Sequence, residues 1–226
     1  MKILILGAPG SGKGTYSRGL SEILKLPLIS TGNILRSMRN DPKVGNIIKE
    51  YQDKGLPVPD DVVMPLVQER LSRSDCKKGA IIDGDVVYNI NQAKMMEKII
   101  DLDLVLNLIL PDSILIKKNL GRRNCEKCGI TFNVADINEH GIRMPALPPK
   151  KEGICDKCGG PLSIRTDDTE EVIRERLKVY WKRIKPVLKF YREKGLVRDV
   201  KVNSTPDIMI PRILDIVKKE LGVKNV

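Results

Sequence analysis

Short apolar runs alternate along this chain with stretches whose apolar positions recur every three or four residues. The runs are KILIL (2–6), PLIS (27–30), GAIID (79–83), DLVLNLIL (103–110) and GLVRDVKV (195–202). Each has strand length and is bounded by turn-forming residues, as expected of strands in a sheet covered on both faces. Residues 16–24, 62–71, 92–99 and 113–120 carry the helical period. A long, highly charged amphipathic helix is predicted over 170–194, and a closing helix over 207–221. Strands alternating with helices predict an α/β fold built on a parallel sheet. Residues 124–163 break the pattern, being rich in Cys, Gly and Pro with little periodicity. They read as a small domain inserted into a main domain made of 1–123 and 164–226.

Composition narrows the picture. A length of 226 residues suits one sizeable domain carrying an insertion. No run approaches the roughly 18 apolar residues of a membrane span. The chain opens directly into the first apolar run, without the charged and apolar regions of a signal peptide, so a cytoplasmic protein is expected. The net charge of +11 points to anionic partners: nucleotides, nucleic acid and acidic membrane would all satisfy it, as would a merely solvated basic surface. Aromatic residues make up only 4%, which argues against a platform on which nucleic-acid bases stack.

The first run leads into GAPGSGKGT, Gly7 to Thr15. This follows the phosphate-loop spacing, Gly, four residues, Gly, Lys, and departs from it at the next position. A Ser or Thr hydroxyl is expected there as a Mg²⁺ ligand, but Gly14 occupies the place and Thr15 comes one residue late. The context is otherwise that of a nucleotide site. Glycines let successive backbone N–H groups face one anion, the start of a helix reinforces them, and Lys13 supplies a point charge for the β- and γ-phosphates. Gly10, Ser11, Gly12, Lys13, Gly14 and Thr15 are therefore the candidates for holding ATP.

GAPGSGKGT, STGNILR (30–36), DG (83–84), GRR (121–123) and RTDDTEEVIRERL (165–177) together resemble the adenylate kinase family in order and spacing, over the whole chain. The resemblance implies a P-loop NTPase-type parallel sheet with a small zinc-ribbon-like lid. It implies reversible, Mg²⁺-dependent phosphoryl transfer, ATP + AMP = 2 ADP. In that family the loop reads Gly-Lys-Gly-Thr and nucleotide oxygens and waters hold most of the Mg²⁺ shell, with Asp83 anchoring the waters. By the same resemblance Arg36 grips the monophosphate's phosphate, Arg122 and Arg165 come onto the triphosphate, and Arg176 bridges donor and acceptor. Thr31, Gln92 and the backbone near Val58 would contact the monophosphate nucleoside, through helices at about 31–60. Arginine suits such work, since its planar fork stays charged and binds phosphate in pairs of hydrogen bonds. Lys13, Arg122, Arg165 and Arg176 are the catalytic candidates, with Asp167 and Asp168 orienting arginines or the lid hinge. The partners expected are ATP and a nucleoside monophosphate, AMP first, with no nucleic acid or membrane, for a monomer.

Cys125-x-x-Cys128 and Cys155-x-x-Cys158 form two knuckles separated by 26 residues, each pair followed by Gly. Four thiolates so spaced can surround one ion tetrahedrally, whereas disulfides are disfavoured in a reducing cytoplasm. Zinc is the first expectation, with iron also suited to four sulfur ligands, and the role is structural because no ligand position stays open. The resemblance agrees, as many family members carry such a site in the lid. Cys76 stands apart and reads as structural; His140, the single histidine, reads as solvated.

Two alternatives stay open: a related kinase preferring CMP, UMP or GMP, and a zinc-ribbon protein that binds nucleic acid and uses its phosphate loop for regulation. One departure bears on the first. Where the family has Asp-Gly-Phe-Pro-Arg-Thr, two residues and Gln-Ala, this chain has DGDVVYNINQA (83–93), one residue longer and without the arginine. A high KM for AMP, or a different acceptor, is expected. Arg39 is the candidate replacement, since Tyr88 and Asn89 carry no charge.

Overall fold

The computed structural model describes residues 1–54, 56–164 and 168–222. Its centre is a five-stranded, all-parallel sheet of β1 (Lys2–Gly7), β2 (Leu28–Ile29), β3 (Ala80–Asp83), β4 (Leu104–Ile109) and β10 (Val197–Lys201), in the order β10-β4-β1-β3-β2. All five were predicted as strands, and the chemistry of β1 shows why. Ile3, Leu4, Ile5 and Leu6 are all at most 1% exposed, so side chains on both faces of the strand enter the core.

Helices α1 (Lys13–Leu24), α2 (Thr31–Met38), α3 (Gly45–Asp53), α4 (Asp60–Ser72), α5 (Ile90–Ile99), α6 (Asp112–Leu120), α7 (Glu170–Glu193) and α8 (Pro206–Leu221) surround the sheet. Their starts are chemically marked. Ser30 accepts the Asn33 N–H at 3.2 Å, Asn89 accepts that of Gln92 at 2.9 Å, and Thr169 accepts that of Val172 at 3.4 Å. Pairing of β1 with β3 on one side and β4 on the other sets Ile5 beside Asp83 and Gly7 beside Leu108. The chain therefore leaves the central strand at the carboxyl edge where the strand order reverses, the place where open parallel sheets present a crevice.

Between α6 and α7 lies a second set of strands. An antiparallel sheet joins β6 (Thr131–Asn133), β5 (Arg122–Cys125) and β9 (Leu162–Ser163), and β7 (Ile137–Glu139) pairs with β8 (Ile142–Met144) as a hairpin. The hairpin turn is His140-Gly141, with φ of 53° and 72°. Two consecutive positive φ values match the twist of a tight hairpin, and they leave His140 exposed at the tip, as expected of it. The 26 residues between the knuckles are thus not a plain loop. Ile137, Ile142 and Met144 are buried in the main core, and the Arg143 N–H donates to Asn203 O at 3.0 Å. Among the described residues no helix is long and apolar enough to cross a membrane.

Candidate active site and metal centre

The loop between β1 and α1 wraps around its own lysine. Gly10 and Gly12 hold φ of 87° and 93°, conformations that cost other residues strain. The Lys13 ammonium folds back to donate to Gly7 O at 2.7 Å, and the Ser11 N–H donates to Ala8 O at 3.0 Å. Asn119, at the end of α6, braces the loop from outside by donating from Nδ2 to Pro9 O at 3.1 Å and to Leu115 O at 2.7 Å. The Ser11 hydroxyl is buried with no hydrogen-bond partner. Nothing lies within 4 Å of a Cβ built on Gly14, so packing does not explain its missing side chain. Gly14 and Thr15 are both exposed.

Asp83 ends β3 beside this loop and is only 8% exposed. Burial pushes its carboxyl up to about 6; the Asp85 carboxylate adds to the rise and Lys13 opposes it. A buried carboxylate next to a phosphate loop, with Lys13 as the nearby cation, has the donor chemistry to hold waters around Mg²⁺. Lys13, Gly84, Asp85, Tyr88, Arg176 and Tyr180 line one cleft of about 240 Å³.

The arginines divide. Arg122, in the first residue of β5, donates from Nε and Nη2 to the two oxygens of Asp168, at 3.0 and 2.5 Å. Arg176, one and a half turns into α7, places Nη1 3.9 Å from the same carboxylate. Asp168 thus holds two of the arginines together, and its side chain is fully buried. Arg165 and Asp167 lie outside the described residues. Arg36 is exposed on α2, its Nη2 donating to Asn33 Oδ1 at 2.6 Å.

On the expected acceptor side, Thr31 opens α2 with its hydroxyl buried and unpartnered, and Val58 is buried before α4. Gln92 is buried and already committed. Its Nε2 donates to Asp60 Oδ1 at 2.6 Å, and its Oε1 accepts the Tyr88 N–H at 2.5 Å. Asn89 donates to Asp60 as well, at 3.3 Å. Arg39, the candidate replacement for the missing arginine, donates to Gln52 and Asp53 at 2.6 and 2.8 Å, tying α2 to α3. Arg183 of α7 is stacked 5.1 Å over the Tyr88 ring, and Lys13 lies 3.9 Å from Asp85, so both bring positive charge to the altered stretch. A further hollow of about 280 Å³ lies between α2 and α4, but its Arg70 and Arg73 are already paired with Asp75 and Glu69.

The four cysteines converge. All four Sγ atoms lie within 4.8 Å of one another, with Cys125 to Cys158 at 3.4 Å and Cys128 to Cys155 at 3.6 Å. A tetrahedron with metal–sulfur bonds of about 2.3 Å has sulfur edges of about 3.8 Å, so the cage fits an ion of zinc's size. Each knuckle turns on a glycine, Gly129 and Gly159, at φ of 72° and 68°. Cys76 is buried away from the cage, its sulfur accepting from Arg70 at 3.1 Å.

Sequence reasoning missed Asp60, Asp85, Asn119 and Arg183. Asp85 was detectable as a charged residue in an otherwise apolar stretch after β3; the other three act across distances in the chain that no local pattern reveals.

The family model described as adenylate kinase matches residues 5–196. A curated adenylate kinase of Caldicellulosiruptor bescii is 42% identical over 203 residues, covering 87% of this chain and 89% of the relative. One of Thermodesulfovibrio yellowstonii is 42% identical over 226 residues, covering 97% and 100%. One of Archaeoglobus fulgidus is 39% identical over 214 residues, covering 92% and 93%. Matches of this strength and span, on a chain with this loop and sheet, leave one conclusion: the chain belongs to the adenylate kinase family.

Proposed function

We propose that this chain transfers the γ-phosphoryl group of ATP, carried with Mg²⁺, reversibly to AMP, giving two ADP. The observation that supports it most is the cleft that brings Lys13 of the phosphate loop against Arg176 of α7, with the buried Asp83 ending β3 one residue before the cleft-lining Gly84. Phosphoryl transfer asks the protein mainly to position two polyanions and offset their charge. In this reading the N–H groups of Gly10 to Thr15 cradle the donor phosphates, and Lys13 follows the charge that moves. Asp83 orders waters around Mg²⁺, which offsets charge on the phosphates. Arg122, Arg165 and Arg176 converge on the transferred group, released from or steadied by Asp168. Thr31, Arg36, Val58 and Gln92 receive the monophosphate.

Residues 124–163 serve as a lid held by structural zinc on Cys125, Cys128, Cys155 and Cys158, excluding water that would divert the phosphoryl group. Four free thiols in one cage go with a reducing, cytoplasmic setting.

A different monophosphate acceptor is the second reading, supported by the uncharged Tyr88 and Asn89 in the altered stretch. Losing one charge-assisted contact weakens the acceptor's grip by about 10- to 150-fold. Steady-state kinetics with ATP, Mg²⁺ and each of AMP, CMP, UMP and GMP tests both readings. ADP formation with AMP at an unusually high KM is expected; a strong preference for another monophosphate favours the second reading, and no ADP from any of them overturns both.

A further inference from the structure

Asp85 sits in a single helical turn just past β3, and its carboxylate lies 3.9 Å from the Lys13 ammonium. Packing does not require it there, since two-thirds of the side chain (67%) is exposed. Its backbone N–H donates to Asp83 Oδ1 at 3.4 Å, but its side chain caps nothing. The side chain therefore adds one negative charge to the cleft, facing Lys13 and Arg176.

In a cleft that takes a triphosphate, such a charge is a liability on its own. It competes with the phosphates for Lys13 and repels them directly. A divalent cation travelling with the nucleotide reverses the sign, because Asp83 and Asp85 then both face positive charge. We propose that Asp85 makes the donor site select metal-complexed over metal-free triphosphate. The inference rests on the proposed donor role of this cleft and deepens it, by naming the ionic form of the substrate and the residue that chooses it.

Titration calorimetry of native protein and Asp85→Asn, with ATP in excess Mg²⁺ and with ATP in EDTA, tests it. The quantity read is the ratio of the metal-free Kd to the Mg²⁺-bound Kd. That ratio should fall by about tenfold in Asp85→Asn, chiefly because metal-free ATP binds more tightly once a like charge is gone. Asp85→Glu should retain most of the native ratio. A ratio within twofold of native, or equal shifts for both forms of ATP, overturns the inference. Native protein that binds no MgATP instead overturns the donor reading itself. Urea unfolding midpoints for each variant establish that the proteins compared are folded, and Asp85→Ser substitutes for Asp85→Asn if that variant is not.

Discussion

Asp168 offers the sharpest perturbation of the site. Its buried carboxylate is the counter-charge for Arg122, which is itself only 14% exposed, and lies 3.9 Å from Arg176. Asp168→Ala removes the anion and leaves two guanidinium groups side by side. Breaking a buried pair by deleting one partner costs about 3–5 kcal/mol. Arg122 keeps some exposure and can turn partly to water, so the low end applies, about 3 kcal/mol. For a chain of this length each kcal/mol moves the melting temperature by about 2–4 °C, so a fall of about 6–12 °C is expected. MgATP should restore part of it, because its phosphates supply the anion that the two arginines have lost. Differential scanning calorimetry with and without MgATP measures both quantities. A variant melting within about 2 °C of native, with the same nucleotide shift, would show that the pair neither stabilises the fold nor orders the site.

Lys13→Ala should lower kcat by about 10²-fold or more, as loss of one positioned charge in the transition state; a raised KM with untouched kcat would count against that role. Cys125→Ser should unfold the cysteine cage and the β6-β5-β9 sheet around it and weaken turnover, while the phosphate-loop domain, with the β7–β8 hairpin packed in its core, stays folded. Its premise is checked by elemental analysis of freshly purified native protein, where less than half an equivalent of metal would sink it. Asp83 carries a pH signature. Its carboxyl is raised from 3.8 to about 6, so the fold is favoured while the group is protonated and loses stability as pH rises through that interval. Asp83→Asn should therefore stabilise the metal-free protein by about 1–3 kcal/mol at pH 7–8, with the gain vanishing near pH 4. Urea unfolding in EDTA across that range tests the sign, and a variant less stable at pH 8 would refute it.

The parts of the molecule legible from sequence are those whose physics is local. Ile3 to Leu6 read as a strand because consecutive residues must all be apolar when both faces are covered. The phosphate loop and the knuckles read clearly because each needs particular residue types only a few positions apart. What stayed hidden joins distant positions. Asp60 holds Asn89 and Gln92 from another helix, and Asp168 reaches Arg122 across 46 residues. Arg39 looked available because its neighbours in sequence do not occupy it; Gln52 and Asp53, on the next helix, do. The β7–β8 hairpin had local signals, with Ile137, Ile142 and Met144 alternating around His140-Gly141. They were obscured by the cysteine-rich composition on either side.

Asn119 has a consequence of a different kind. One amide group, by touching Pro9 and Leu115 at once, fastens the nucleotide cradle to the last turn of the helix that runs into the lid's first strand. A Cβ on Gly10 would collide with that same amide, so the two surfaces meet with no slack. The base of the inserted strands and the phosphate loop therefore share a mechanical joint. A substitution that reshapes the loop at Gly10 will be felt at the end of α6 and the start of β5 as well.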